Sequence, residues 1–191
     1  MSPRRVIVGL SGASGAALGV RIVELLGGVE GIETHLIVTD AAKRTLALEL
    51  DDGAADRLFG LADQVHAIDD IAAAPASGSF RSSAMIVAPC SIRALSAIAT
   101  GLADDLLVRA ADVHLKERRR LVLMARETPL HLGHLRAMTA VTEMGAIIMP
   151  PVPAFYRRPD SIAALVDDLA RRAIGLALPD IDTGLAEWAG G

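Results

Sequence analysis

The chain has 191 residues, of which 52% are hydrophobic, and 19 basic residues against 23 acidic ones give it a formal charge of −4. This apolar content and near-balanced charge exclude an intrinsically disordered chain and predict one soluble domain with a large core. The acidic charge, the 3% aromatic content and the lack of any long uncharged stretch exclude a nucleic-acid-binding surface and a membrane span.

Strand-length runs rich in Val and Ile alternate with longer stretches of helical periodicity. The runs predict strands at residues 5–10, 34–39, 84–88, 121–125 and 146–149, with a short strand near 64–68. The periodic stretches predict helices at residues 16–26, 41–50, 92–100, 106–118, 130–144 and 161–176. This series predicts an α/β domain: a three-layer, doubly wound parallel sheet, Rossmann-like or flavodoxin-like, with ligands at the carboxyl ends of the strands.

Two regions depart from this alternation. Residues 51–80 are rich in Ala, Asp and Gly, which predicts an irregular segment serving as a mobile lid or as an intersubunit contact. We place the domain at residues 1–178 and expect the Gly-rich residues 179–191 to be a loosely held tail, with Trp188 as its only anchor.

The strongest local motif is GLSGASGA at residues 9–16, between the first strand and the first helix. It lacks the lysine of a phosphate loop and misses the spacing of a dinucleotide-binding fingerprint. Its small residues would expose backbone N–H groups and the hydroxyls of Ser11 and Ser14 at a helix N-terminus, which suits phosphate. Thr39 and Ser91 end two further strands, so three strand ends describe one crevice. The alternative is a glycine-rich connection that binds nothing.

Cations follow in the second half of the chain. Arg109 and Lys116 share one helix face two turns apart, although a solvated basic face is the usual meaning of such a run, as for residues 118–120. Arg126 and Glu127 come directly after a strand, either as site residues or as a structural ion pair.

Residues 150–156, PPVPAFY, form a stiff apolar stretch that ends in a phenol. This stretch suits a wall for an isoprenoid or aromatic ligand, and a packed connection is the alternative.

Three other signals are weaker. His131 and His134 have ligand-like spacing but no third donor nearby. Cys90 is the single cysteine, so a disulfide within the chain is excluded and a reducing cytoplasm is favoured. Asp104 and Asp105 lack the third aspartate of a magnesium-bound diphosphate site. We therefore expect no metal.

Five motifs recur in order: GLSGASGA, APCS, DDLLVRAADVHLKERRRLVL, RETPLHLGHL and GAIIMPPVPAFY. From residue 6 to about 176 the chain resembles the UbiX-type flavin prenyltransferases, a branch of the flavin-binding cysteine-decarboxylase-like flavoproteins. The resemblance implies transfer of a dimethylallyl group from dimethylallyl monophosphate to N5 and C6 of reduced FMN, without metal. It also implies that the product, prenylated FMN, serves UbiD-type decarboxylases and that the enzyme is a homododecamer.

The resemblance also implies roles for single residues. The residues that would contact FMN are Gly12, Ala13, Ser14, Thr39, Ser91, Ile92, Arg93, Ala94 and Arg126. The residues that would bind the allyl phosphate are Lys116, Arg126, Glu127, Tyr156 and Arg172. The catalytic set comprises Glu49, Lys116, Glu127, Ser14 and Arg109, with Glu49 and Arg109 often supplied across a subunit boundary. Ala94 departs from the family's usual threonine, and Ile71 lies where some relatives have tryptophan, which puts flavin affinity in doubt.

Two other functions compete with this interpretation. A flavin-dependent decarboxylase would need a catalytic histidine in the helix at residues 41–50, which contains none. A flavin carrier without chemistry of its own would leave Lys116, Glu127 and Tyr156 without a purpose.

Overall fold

The computed structural model describes residues 3–185. Its centre is a six-stranded parallel sheet in the order β3-β2-β1-β4-β5-β6. The strands are β1 Arg4–Leu10, β2 Ile32–Val38, β3 Gln64–His66, β4 Ser82–Cys90, β5 Arg120–Ala125 and β6 Ile147–Ile148. The order reverses between β1 and β4, and a sheet of this kind binds ligands beyond the carboxyl ends of the strands at such a reversal.

Seven helices cover the two faces of the sheet within residues 3–185. They are α1 Ala16–Gly27, α2 Asp40–Glu49, α3 Ala54–Leu61, α4 Ile92–Thr100, α5 Leu106–Lys116, α6 Leu132–Glu143 and α7 Ile162–Ala177. Alternate residues of β1 divide between two cores: Val6 and Val8 pack with α1, α2, α3 and α7, whereas Ile7 packs with α4, α5 and α6. The three-layer, doubly wound prediction is confirmed.

Side-chain caps determine where several helices begin. The side chains of Thr39, Ser91, Asp105 and Ser161 each accept a hydrogen bond from the backbone three residues later, at the starts of α2, α4, α5 and α7. Such caps satisfy donors that have no partner inside the helix. The caps at Thr39 and Ser91 matter most here, because both lie at the carboxyl end of the sheet.

The region 51–80 is more ordered than its composition predicts. It contains α3, whose Leu58 is fully buried, so the expectation of an irregular segment is wrong there. Backbone carbonyls further on are held by two arginines: Arg109 Nε donates to Ala76 O at 3.1 Å, and Arg119 donates to Gly78 O at 2.6 Å. These bonds argue against a mobile lid at residues 76–80.

The first part of the predicted tail is also tied to the domain. Arg4 Nη1 donates to the Asp180 carboxylate at 2.5 Å, and Arg171 Nη1 donates to Thr183 O at 2.5 Å. These bonds attach the chain to the domain at residues 180 and 183, the boundary at residue 178 stays a prediction, and Trp188 lies outside the described residues. None of the helices in residues 3–185 is long and apolar enough to cross a membrane.

Candidate active site

A cavity of about 670 Å³ opens at the reversal of strand order. Four loops line it: residues 11–14 after β1, 39–41 after β2, 91–94 after β4 and 126–127 after β5. Every residue predicted to contact FMN is among them. We call this space the central cavity. Its size falls within the range of pockets that hold small molecules and cofactors.

Ser11 joins the loops after β1 and β4. Its buried hydroxyl accepts from Ser91 N at 2.7 Å and donates to Pro89 O at 2.9 Å. Ser11 therefore holds the two loops together, and the expectation that its hydroxyl is exposed for phosphate is wrong. Both bonding directions of the hydroxyl are already used inside the protein.

Anion-binding groups surround the central cavity. Thr39 Oγ1 accepts from Ala42 N at 3.1 Å and Ser91 Oγ accepts from Ala94 N at 3.3 Å, so each hydroxyl retains a proton to donate. The helix N-termini behind them favour negative charge. The backbone N–H groups of Gly12 and Ser14 have no hydrogen-bond partner within residues 3–185. The residues that carry these donors line the same cavity, as a phosphate site requires.

Gly12 allows the glycine-rich loop to lie directly on α2. A Cβ at this position would come within 3.0 Å of Ala41 Cβ, closer than real side chains pack. The glycine is therefore needed for contact with the neighbouring helix, independently of any ligand.

Glu49 occupies the N-terminus of α1. Its carboxylate accepts from Gly15 N at 2.9 Å and from Ala16 N at 2.8 Å. Partial burial favours a higher pKa for Glu49, but hydrogen bonds from Ser14, Ala16 and Gly15 and the charge of Arg126 outweigh it and lower the pKa. Two N–H groups at the start of α1 are thus already taken by a side chain of the same chain, which leaves the loop before them as the candidate phosphate site.

Arg126 and Glu127 both line the central cavity, but they form no ion pair with each other. Glu127 Oε1 instead accepts from Thr128 N at 2.9 Å. The guanidinium of Arg126 has no hydrogen bond or ion pair among the described residues. The alternative of a structural Arg126–Glu127 pair is therefore wrong, and the charge of Arg126 acts on Glu49 across the cavity without a hydrogen bond or ion pair among the described residues.

Arg93, by contrast, is already paired. Its two terminal nitrogens donate to Asp104 and Asp105 at 2.9 Å each. Asp105 also caps α5 through Val108 N at 2.8 Å. The two aspartates therefore fix an arginine at the mouth of the cavity.

Tyr156 and Arg172 line a second cavity of about 730 Å³, between residues 149–157 and α7. We call it the outer cavity, and it shares no lining residue with the central one. Pro150 and Pro153 contribute apolar surface to it, as the sequence predicts. Arg172 has no hydrogen bond or ion pair within residues 3–185, so a second uncommitted cation lies here.

Lys116 and Arg109 line neither cavity. Lys116 ends α5 just before β5 begins, at the amino edge of the sheet, whereas Arg126 follows β5 at the carboxyl edge. A strand of this length separates them by about 20 Å at 3.3 Å per residue. Arg109 pairs with Asp112 at 2.6 Å and holds the carbonyl of Ala76. One chain therefore does not bring the predicted phosphate-binding cations together.

The weaker sequence signals have structural explanations. The ring of His131 accepts from Gly133 N at 3.0 Å and caps α6 together with His134. Burial raises the pKa of the Cys90 thiol to about 12, so it is not a thiolate nucleophile at neutral pH. Within residues 3–185, no three His, Cys, Asp or Glu side chains are placed to hold a metal ion together.

Comparisons with known proteins agree on one family. The flavoprotein family matches residues 1–171. A flavin prenyltransferase UbiX of Thauera aromatica is 54% identical over 189 residues, covering 97% of this chain and 94% of that protein. The chain belongs to the flavin prenyltransferase family.

Solved structures of this family have the same fold. The crystal structure of AnUbiX in complex with FMN and dimethylallyl pyrophosphate has a TM-score of 0.92 and 48% identity, with 99% of this chain and 98% of that chain covered. A dodecameric FMN-dependent UbiX-like decarboxylase from Escherichia coli O157:H7 has a TM-score of 0.90 and 43% identity, with coverage of 97% and 100%. The resemblance inferred from the five motifs is confirmed.

Sequence reasoning missed part of the central cavity of this flavin prenyltransferase. Ile68, just after β3, and Leu107, in the first turn of α5, contribute its apolar surface. Ile68 could have been predicted as a cavity residue, because it lies at the carboxyl end of a strand. Leu107 had none, because a buried leucine in a helix is ordinary.

Proposed function

We propose that the protein transfers a dimethylallyl group from dimethylallyl monophosphate to N5 and C6 of reduced FMN, releasing phosphate, without a metal. The prenylated FMN then passes to a UbiD-type decarboxylase. One observation carries this proposal: within residues 3–185, the central cavity combines unpartnered anion donors with an Arg126 that makes no hydrogen bond or ion pair, at the strand-order reversal. We place the activity in residues 1–178 and in the cytoplasm.

The central cavity fits FMN. The N–H groups of Gly12 and Ser14 and the hydroxyls of Thr39 and Ser91 suit the phosphate, at the N-termini of two helices. Residues 92–94 and Ile68 would lie along the ring system. Because Ala94 has no side-chain hydroxyl, ring binding here rests on shape and on backbone groups.

In this proposal, binding of the allyl phosphate requires residues from several copies of the chain. Breaking the allylic C–O bond leaves a delocalised cation and a phosphate dianion, so fixed positive charges must meet the oxygens as the charge develops. Lys116, Arg126 and Arg172 supply these charges, but they lie at separate places in one chain. We propose that copies of the chain, assembled as a homododecamer like the relative from Escherichia coli, bring an outer cavity and a Lys116 to each central cavity.

The two carboxylates have different tasks in this proposal. Reduced FMN supplies the nucleophilic N5 and C6. Alkylation releases the proton of N5, and ring closure adds one proton to the dimethylallyl double bond and removes one from C6. The lowered pKa of Glu49 makes it a weak base, but its negative charge beside Ser14 and Arg126 stabilises an allyl cation. Phosphate, with a second pKa near 6 in its esters, is the better proton acceptor once released. Glu127, whose carboxylate bonds to its neighbour's N–H and to no other group in the part of the chain that the structure describes, is the protein alternative.

The test is a single anaerobic reaction. The protein is mixed with reduced FMN and dimethylallyl monophosphate in the presence of excess EDTA, and the molecular mass of the flavin is measured by mass spectrometry. We expect the flavin mass to increase by one C5H8 unit, with release of inorganic phosphate. A flavin of unchanged mass overturns the proposed function, and product that forms only without EDTA overturns metal independence. A parallel reaction with dimethylallyl diphosphate tests which phosphate ester is used.

A further inference from the structure

The end of α5 is a tightly bonded turn that carries Lys116. The N–H of Arg118 donates to Leu115 O at 3.1 Å, and that of Arg119 donates to His114 O at 2.8 Å. Arg118 has φ of +56° where such turns usually have glycine. Glu117 and Arg119 therefore flank a residue in the left-handed backbone conformation, Arg118.

Arg119 fixes this turn to the segment before β4. Its guanidinium donates to Phe80 O at 2.7 Å and to Gly78 O at 2.6 Å, and it lies 4.0 Å from the Glu117 carboxylate. Its side chain is only 16% exposed. The backbone at residues 78–80 therefore has a fixed position relative to the end of α5.

The Lys116 ammonium and the Glu117 carboxylate form an ion pair that lies directly on Gly78. A Cβ on Gly78 would come within 3.0 Å of both Glu117 Oε1 and Lys116 Nζ. A side chain at position 78 would therefore require the ends of both charged side chains to shift from this arrangement. Neighbouring charges on an exposed helix end normally have no such constraint, since their long side chains sample many rotamers.

We propose that Glu117, seated on Gly78, is a positioning residue that aims the Lys116 ammonium at the allyl phosphate. This inference rests on the proposed function, because it gives Lys116 a task there. An ammonium has three N–H donors, so one bond to Glu117 leaves two for phosphate oxygens. The carboxylate restricts the flexible four-carbon stem before the substrate arrives, which reduces the entropy lost on binding.

Steady-state kinetics with saturating reduced FMN test the role. We expect Glu117→Gln to raise the KM for dimethylallyl monophosphate about tenfold, equivalent to about 1.4 kcal/mol, while kcat changes little. Arg118→Gln is the matched control: it removes a charge from the same turn, and its side chain has no partner within residues 3–185. The control should keep the wild-type KM. Affinity for FMN and the melting temperature should be unchanged in both variants.

A second pair of variants separates positioning from general structural damage. Gly78→Ala displaces the ion pair and should raise the same KM, but it should add little in a Glu117→Ala background, where the obstructed carboxylate is gone. Independent, additive effects overturn the proposal, as does a Glu117→Gln variant with the wild-type KM. A wild-type protein that leaves FMN unmodified instead overturns the proposed function, so the two failures are distinguishable.

Discussion

His114 makes the stability of the protein depend on pH. The side chain is fully buried in α5, with Nε2 3.0 Å from Ser82 Oγ and Nδ1 2.7 Å from Ala110 O. Burial, assisted by the charge of Arg119, lowers the pKa of His114 from 6.5 to about 4, against the opposing effect of its backbone bonds. The folded protein therefore keeps this imidazole neutral where the unfolded chain protonates it.

The size of the effect follows from proton linkage. Above pH 6.5 both states hold a neutral imidazole, and His114 adds no pH dependence. As the pH falls from 6.5 toward 4, the unfolded chain binds one more proton than the folded one, so the free energy of unfolding decreases. At about 1.4 kcal/mol per pH unit, the loss between pH 7 and 4.5 is roughly 2 to 3 kcal/mol.

Urea denaturation at fixed protein concentration, at pH 7, 5.5 and 4.5, measures this loss. The pKa values of His35 and His66 are also lowered by burial, so wild-type data alone combine several histidines. His114→Gln removes one titrating group and should lose roughly 2 to 3 kcal/mol less than wild type over the same pH range. Parallel pH profiles for the two proteins would refute the reasoning, whatever their stabilities at pH 7.

Three further predictions concern the site. Gly12→Ala should weaken FMN binding measured by flavin fluorescence, because overpacking against Ala41 costs about 1–3 kcal/mol and distorts the phosphate loop; an unchanged Kd would contradict this. Lys116→Ala should raise the KM for dimethylallyl monophosphate at least about tenfold, since charge-assisted bonds contribute about 1.5–3 kcal/mol each, and wild-type saturation would refute its role. Glu49→Gln should retain FMN but stall turnover, because the amide can still accept from Gly15 and Ala16 yet carries no charge; normal rates would remove Glu49 from the mechanism.

The sheet and the central cavity were predictable because both depend on local patterns. Strands buried on both faces are continuous Val and Ile runs, and the residue after each strand identifies the carboxyl edge. Thr39, Ser91 and Arg126 were found in this way. Helix α3 was missed because it has only eight residues and follows an acidic, Gly-containing stretch that resembles a loop.

Long-range contacts account for what the sequence did not reveal. The bond from Gly15 N to Glu49 joins the residue before α1 to the last residue of α2, and no local pattern encodes it. Helical spacing placed Arg109 and Lys116 on one face but said nothing of which edge of the sheet they approach. The order of α5 before β5 did contain that information, since a helix that leads into a parallel strand ends at the amino edge.

The location of Lys116 and Arg126 on opposite rims of one sheet has a genetic consequence for the proposed reaction. Two inactive proteins, one altered on each rim, would carry complementary defects, and mixed assemblies of them would regain a fraction of intact sites. Dilution that separates the copies would abolish the activity of the enzyme although every chain remains folded. Selection would then preserve the contacts between neighbours as strictly as the groups that handle the substrate.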